Sequence, residues 1–529
     1  MHERADKPST GRSSTAPLVA SLVATVALAL ALAAPSPAQH LEAFEGRTTV
    51  HTLDNGWTFI LVKRDVAPVF SFATIADVGG AQEVPGITGL AHMFEHMAFK
   101  GTPNIGTTDP GAEQKALAKL EEAYQTWQNE RFKKASDQEK LGALWDEFKK
   151  LQEEAADYVV ANEFGDIIDR EGGVGLNAGT ASDLTVYFYS LPANKVELFA
   201  YLESERFLHP VFREFYKERD VVQEERRLRT ESNPIGRLVE QFITTAFSAH
   251  PYKQPVIGYM SDLHSFTMTD AKKFFQTYYT PSNLTTAIVG DIDPDTLIPM
   301  LERYFGRIPK RPDPPPLRTV EPPQVAEKTV VLEDPAQPVY LEAYHKPSGL
   351  DEDQPIYDAI DDILSRGRTS RLYRSLVRDK KIAVNVSSFS NFPGEKYPNL
   401  WAVFAIPARG ISNQEVQQAI RTELERLKTE DVTDAELEKF KVRAKADLVR
   451  QLRSNNGIAF QLANYQRLRG DWRELFRYID EIEKVTKEDI RRVANDILTP
   501  TNRTVAMIVT DTSEDEEAET PEVGEQVKG

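Results

Sequence analysis

Hydrophobic positions gather first in two short runs of β-forming residues, Thr48–Leu53 and Trp57–Lys63, on either side of Asp54-Asn55-Gly56. Asn-Gly between apolar runs is a strong hairpin signal, because both residues tolerate the positive φ of the favoured tight turns. Val69–Val78 predicts a further strand, ended by Gly79-Gly80. The texture then changes. Leu90 to Lys100 has no Gly or Pro and favours a helix. From Asp109 to Asp169 the chain is charged and rich in Ala and Leu. Leu117, Leu120, Tyr124 and Trp127 fall on one helical stripe, and Leu141, Leu144, Phe148, Leu151 and Tyr158 on another. Ser136 and Glu139 have capping-box spacing for the second helix. This stretch is expected to be a helical hairpin packed on the outside of the first domain. Leu184–Tyr189 reads as a strand, with helices from Lys195 to about Leu208 and from Arg213 to about Arg229, and a strand at Thr285–Val289.

Pro309, Pro312, Pro314, Pro315, Pro316, Pro322 and Pro323 leave no room for a regular element, so residues 308–328 read as a linker. Beyond it, Thr329–Leu332 and Val339–Tyr344 are expected strands. Gln354–Leu364, Arg371–Arg378, Asn413–Thr429 and Asp434–Leu452 are expected helices. The two regions share an ending: Tyr279-Thr280-Pro281-Ser282-Asn283 before an apolar run matches Leu498-Thr499-Pro500-Thr501-Asn502 before another. This is an internal duplication, and it predicts an α+β fold of two homologous helix-backed-sheet domains, at 39–307 and 329–511, with the hairpin of 109–169 inserted in the first.

Length and composition suit a globular chain too long for one core. The net charge of −18 argues against a nucleic-acid partner. Arg4, Lys7 and Arg12 precede the apolar Ala16–Ala34 run and the small residues Ser36-Pro37-Ala38, which is the layout of a secretory signal peptide over residues 1–38. The expected location is periplasmic or secreted, with no stable membrane anchor after signal cleavage. Without cysteine there are no disulfides. Residues 512–529 form an acidic tail without apolar pattern, expected to be disordered.

The chemistry gathers at His92-Met93-Phe94-Glu95-His96, an H-x-x-E-H pattern on the expected helix. At roughly 100° per residue, His92 and His96 lie about 40° apart around the axis, with Glu95 on the same face. Two imidazoles one turn apart can grip one zinc ion, and a carboxylate beside them can hold the attacking water. This order is the inverted one of the inverzincins. A catalytic zinc takes three protein ligands and leaves a position for water, so a third is needed, and no cysteine exists to supply it. Glu218 and Glu225 are seven apart and share a helix face. One can ligate while the other supports a ligand histidine from behind.

The stretches Gly89-Leu90-Ala91-His92, Glu95-His96, Phe99-Lys100-Gly101-Thr102, Asn177-Ala178, Thr180 and Glu218–Glu225 together resemble the insulinase/pitrilysin zinc metallopeptidases, in their mitochondrial-processing-peptidase-like bacterial branch. The resemblance spans nearly the whole mature chain. It implies one Zn2+ per chain on His92, His96 and Glu225, Glu95 as the base, and Glu218 behind a ligand. It also implies that Asn177 and Ala178 lie on an edge strand that contacts the backbone of a peptide substrate. The implied activity is endopeptidase action on peptides or unfolded segments, with a catalytically silent assembly or peptide-binding subunit as the alternative. Two departures stand out. The hairpin stretches the spacing from His96 to Glu225 beyond the family's. The Arg/Tyr pair that the family's second domain offers to the substrate carbonyl falls on Val377 and Val384, or, with the register shifted, on Arg378 and Asn385. The resemblance therefore implies a heterodimer with a related chain that supplies the pair, in preference to a homodimer.

Overall fold

The computed structural model describes residues 41–42 and 44–511 of the 529. The expected signal peptide and acidic tail lie outside the described residues. Two sheets organise the chain. The first comprises Thr48–Thr52 (β1), Thr58–Lys63 (β2), Val69–Ala76 (β3), Val174–Thr180 (β4), Thr185–Pro192 (β5) and Leu284–Gly290 (β6), in the order β1-β2-β6-β3-β5-β4. The second comprises Lys328–Asp334 (β7), Val339–Lys346 (β8), Ala383–Phe392 (β9), Asn399–Pro407 (β10) and Arg503–Thr510 (β11), in the order β7-β11-β8-β10-β9.

Without β1 the two orders correspond strand for strand. β2 runs parallel to β6 as β7 does to β11, and the other neighbours are antiparallel in both sheets. The duplicated Thr-Pro-x-Asn segment has the same job twice. Asn283 donates to the carbonyls of Asp77 (3.2 Å) and Tyr278 (2.9 Å), and Asn502 to those of His345 (2.8 Å) and Ile497 (2.9 Å). Each Asn ties the end of a helix to the end of the neighbouring strand, β3 or β8, just before its own strand begins. The expected two-sheet α+β architecture is present.

The helices that matter for the site and the core are Leu90–Met97 (α1), Pro110–Arg131 (α2), Gln138–Ala156 (α3), Glu163–Arg170 (α4), Val196–Leu208 (α5), Phe215–Arg226 (α6), Pro234–Ala246 (α7), Gln354–Ser365 (α8), Asn413–Thr429 (α9), Asp434–Gln451 (α10) and Asn455–Arg469 (α11). The halves are not simply beads on a linker. Own-half helices cover one face of each sheet, through Phe59, Phe70 and Phe72 against Phe199 in the first and Trp401 and Val403 with Ile360 and Ile420 in the second. The opposite face takes a helix from the other half. Ile458, Ala459 and Leu462 of α11 join Ile60, Ala73 and Val289 of the first sheet, while Leu238, Phe242 and Ile243 of α7 join Leu341, Ala402 and Ile508 of the second. The reason is visible in β6, whose residues are all buried: a strand buried on both faces requires a layer on each side.

Residues 309–327 carry no regular element, yet they are tied down. Ser282 Oγ bonds Asp313 at 2.6 Å, Gln324 donates to the Arg503 carbonyl at 2.7 Å, and the Glu321 carboxylate accepts from the backbone N–H groups of Ser248, Ala249 and His250 at 2.7–2.8 Å. The proline-rich segment is a strap across both halves.

In the hairpin, α2 and α3 lie side by side, and a bridge between Thr107 and Val159 closes the base. Trp127 and Trp145 pack together at 4.8 Å, and Tyr124 and Phe148 meet Tyr216 on the back of α6. Asp137, not Ser136, caps α3 by accepting from Lys140 N at 3.1 Å. α4 follows as a third, short helix. Its place just before edge strand β4 mirrors the wide turn Tyr373–Asp379 before edge strand β9.

Candidate metal centre

α1 begins at Gly89, whose φ of 92° is left-handed and whose missing Cβ leaves room for the Ile257 carbonyl; a Cβ there would stand 2.7 Å from that oxygen. The buried carboxylate of Glu83 accepts from Gly89 N and Ala91 N, both at 2.7 Å, and so supplies the cap that Gly89 lacks. Burial pushes that carboxyl up to about 8, against the pull of the two N–H groups. Leu90, Ala91, Met93, Phe94 and Met97 enter the core. His92, Glu95 and His96 are left facing a cleft they share with Glu225 of α6. α6 buries Phe215, Tyr216 and Val222 in the core.

Ligand-capable atoms of His92, His96 and Glu225 all lie within 4.8 Å of one another. Oε2 of Glu225 stands 3.7 Å from His92 Nε2 and 3.4 Å from His96 Nε2. Oε2 of Glu218 meets His96 Nδ1 at 3.3 Å; with Nδ1 as donor, Nε2 keeps its lone pair. Lys100 pairs with Glu218 and, at 3.0 Å, with Glu214. Arg229 Nη1 holds the other oxygen of Glu225 at 2.7 Å.

Burial, then the charges of His96 and Arg229, pull His92 down to about 3, so its imidazole is neutral through the working pH range. Burial lowers His96 as well, but the hydrogen bond to Glu218 and the carboxylates of Glu225, Glu218 and Glu95 outweigh it and leave His96 raised. Burial raises Glu218, and its bonds to His96 and Lys100 more than reverse this. The donor set fits a zinc ion. Two imidazole nitrogens and a carboxylate oxygen converge at separations beyond a hydrogen bond, and no cysteine or fourth protein ligand crowds them among the described residues. Nδ1 of His92 is buried without a hydrogen-bond partner, so only His96 has its second nitrogen held by a carboxylate.

The cleft has a volume of about 1050 Å³, and all its lining residues come from the first half. Glu95, His92, His96 and Glu225 line it together with Asn177 and Ala178 of β4. β4 is the outermost strand, paired only to β5. Asn177 Oδ1 accepts from Ala178 N at 2.8 Å, a sign that this N–H points off the sheet edge and away from the ladder. Val377 packs into the core of the second half, Val384 is 64% exposed on β9, and Arg378 is paired with Asp379 at 2.6 and 3.0 Å. Neither these residues nor Asn385 line the cleft.

Some participants escape the sequence reading. Glu83 is a loop carboxylate whose role depends on how the chain folds back, and nothing in its spacing marks it. Lys100 and Arg229 sit four residues after His96 and Glu225, the spacing at which helix neighbours meet, so both were within reach of pattern reasoning.

A family described as "Peptidase M16 inactive domain" matches residues 265–442. The Zinc protease PqqE of Helicobacter pylori is 30% identical over 484 residues, covering 89% of this chain and 94% of the relative. A crystal structure of a protease from Helicobacter pylori aligns with a TM-score of 0.73 and 28% identity, over 88% of this chain and 99% of that one. The first half of the periplasmic protease PqqL from Escherichia coli shares the fold, with a TM-score of 0.63 and 17% identity over 91% of this chain and 98% of that one. With the Helicobacter pylori zinc protease 30% identical along nearly its full length, and with two matched sheets, the chain belongs to the M16 (insulinase/pitrilysin) peptidase family.

Proposed function

We propose that the chain is a zinc-dependent endopeptidase that cleaves peptides or unfolded segments, with His92, His96 and Glu225 holding the metal. The observation that carries this reading is the convergence of those three side chains, with Glu95, in one cleft beside an unpaired sheet edge. When bound, zinc polarises the scissile carbonyl and makes a neighbouring water more acidic. The chain does the rest. Glu95 accepts a proton from the water as its oxygen bonds to the carbonyl carbon and the π pair moves onto the carbonyl oxygen. Glu95 then delivers that proton to the amide nitrogen as the C–N bond breaks, leaving a carboxylic acid and a free amine. Glu218 fixes the ring of His96. The edge of β4 at Asn177 and Ala178 pairs with the backbone of an extended peptide, which gives affinity with limited sequence readout.

The description "inactive domain" attaches to residues 265–442, a span without His92, Glu95, His96 or Glu225, so it does not favour the silent-subunit alternative. With every lining residue of the cleft drawn from the first half, a second chain is proposed to close over the substrate, a related chain with an Arg/Tyr pair in preference to a second copy. The proposed location is periplasmic or secreted. Support comes from the signal-like N-terminus and from the periplasmic PqqL sharing the fold; among the described residues no helix is long and apolar enough to cross a membrane.

The test is metal content with hydrolysis of a quenched peptide. About one zinc per chain, loss of cleavage on chelation and recovery on adding zinc are expected. A chain that binds zinc and peptide without cleavage, alone and with its sister chain, overturns the enzyme reading.

A further inference from the structure

Among the residues lining the cleft, Arg229 is the only lysine or arginine. It belongs to the wide turn Arg227–Glu231 that ends α6. Its Nη1 forms an ion pair with one oxygen of Glu225 at 2.7 Å, while the other oxygen faces both histidines. The guanidinium is thus separated from the ligand nitrogens by the Glu225 carboxylate alone. The side chain is 72% exposed, and its remaining N–H groups have no partner among the described residues. Its root is fixed. A Cβ on Gly236 would collide with the Arg229 carbonyl, so only glycine lets α7 press against this turn. α7 is also the helix that covers the second sheet, so the turn is anchored to both halves. The second half offers no substitute, since Arg378 is paired with Asp379 and no residue of that half lines the cleft.

We propose that Arg229 holds the carbonyl oxygen of the scissile peptide, and the negative charge that grows on it as water adds, in place of the Arg/Tyr pair missing at Val377 and Val384. This rests on the peptidase reading above. Nη1 can stay on Glu225 while the other nitrogen edge of the fork turns to the substrate, because a guanidinium presents its donors in a planar array. Such bonds are charge-assisted and strengthen as the oxygen becomes an anion. Removing one preorganised donor of this kind costs about 100- to 1000-fold in turnover in enclosed sites; here, with a side chain open to water, about thirtyfold is expected. The chain alone then retains slow, Arg229-dependent cleavage, and a sister chain raises it further by adding enclosure and its own Arg/Tyr pair.

The experiment uses the full zinc-loaded chain as wild type, Arg229→Gln and Arg229→Lys. Zinc affinity is measured by chelator competition, kcat and KM on a quenched peptide, and binding of a phosphinic peptide that carries a tetrahedral oxyanion. In Arg229→Gln, kcat should fall about thirtyfold and phosphinic-peptide binding weaken by a similar factor, with zinc affinity and KM within about threefold. Arg229→Lys should recover part of both losses. If zinc affinity falls in step with kcat, Arg229 only orients Glu225 and the assignment is overturned; unchanged kcat overturns it too. Glu95→Gln separates the two readings. If it cleaves normally, the peptidase mechanism itself fails. If it is inactive while Arg229→Gln is normal, only the Arg229 assignment fails.

Discussion

The two halves place a helix at the same point of the same topology and put different chemistry on it. Between β3 and β4, α1 carries His92-x-x-Glu95-His96; between β8 and β9, α8 carries Asp358-x-x-Asp361-Asp362 with the same spacing. Across from α1, α6 brings Glu225; across from α8, α10 brings Asp447. In the first half the ligand atoms face one another across gaps longer than hydrogen bonds. In the second half each acid has a partner: Arg443 for Asp362 at 3.0 Å, Tyr478 for Asp358 at 2.5 Å, Ser388 for Asp361 at 2.5 Å and Arg366 for Asp447. One helix leaves converging electron pairs open, as a cation would require, and the other closes a network of hydrogen bonds and ion pairs. The scaffold is shared, and the function lies in which side chains stand at these positions.

Substituting across the two helices sharpens this contrast. His92→Ala or Glu225→Ala should lower zinc occupancy and abolish cleavage, by at least about a thousandfold, with little change in fold. Asp362→Ala should do the opposite. It removes the carboxylate partner of Arg443, leaving its bond to the Arg366 carbonyl, and lowers stability by about 1–3 kcal/mol, while the surviving folded protein keeps its zinc and turnover. Metal analysis, denaturation and peptide hydrolysis on the three proteins check the contrast; zinc loss in Asp362→Ala would break it.

The exchanged helices bind the halves into one unit. Leu462, fully buried under the first sheet, and Phe242, fully buried under the second, belong to elements from the opposite halves. Leu462→Ala should cost about 2–5 kcal/mol and Phe242→Ala about 3–5. Each should shift a single cooperative denaturation midpoint. Two separate transitions, with only one moved by each substitution, would mean that the halves fold independently.

A pH effect separates the halves further. Burial raises the Asp361 carboxyl to about 7, opposed by its bond to Ser388 and reinforced by Asp358 and Asp362. A carboxyl with a raised folded-state pKa binds its proton more tightly when folded, so its contribution is fullest below about 4 and is lost as pH rises towards 7. Asp361→Asn should therefore gain stability over wild type as pH climbs from about 4 to 7, reaching about 2–5 °C in Tm and staying level above. Thermal melts of both proteins across that range check it; a gap that narrows with rising pH would reverse the sign.

The smallest effect is expected in the hairpin. Trp145 packs on Trp127 and Phe148 and lines no part of the cleft. Trp145→Ala should lower stability while leaving kcat/KM within about twofold.

Much of this was legible in the chain itself. The motif at His92–His96, the glutamates seven apart and the repeated Thr-Pro-x-Asn segment each carry a local spacing that geometry translates directly. β9 was harder to see, because an edge strand such as Ala383–Phe392 leaves Val384, Asn385 and Phe389 exposed and mixes them with serines. The exchange of α7 and α11 between sheets was invisible, since an amphipathic helix shows that it buries a face but not against which partner. Glu83 belongs to the same class: its bonds to Gly89 and Ala91 exist only once the loop has folded back over the start of α1.

The central claim is that Glu95 moves the proton at a zinc site held by its neighbours. Glu95→Gln preserves size and hydrogen bonding but removes basicity. The direct measurement is zinc content together with turnover of a quenched peptide by this variant. Full zinc occupancy with turnover lowered at least about a hundredfold is expected. Full occupancy with near-normal turnover would contradict it.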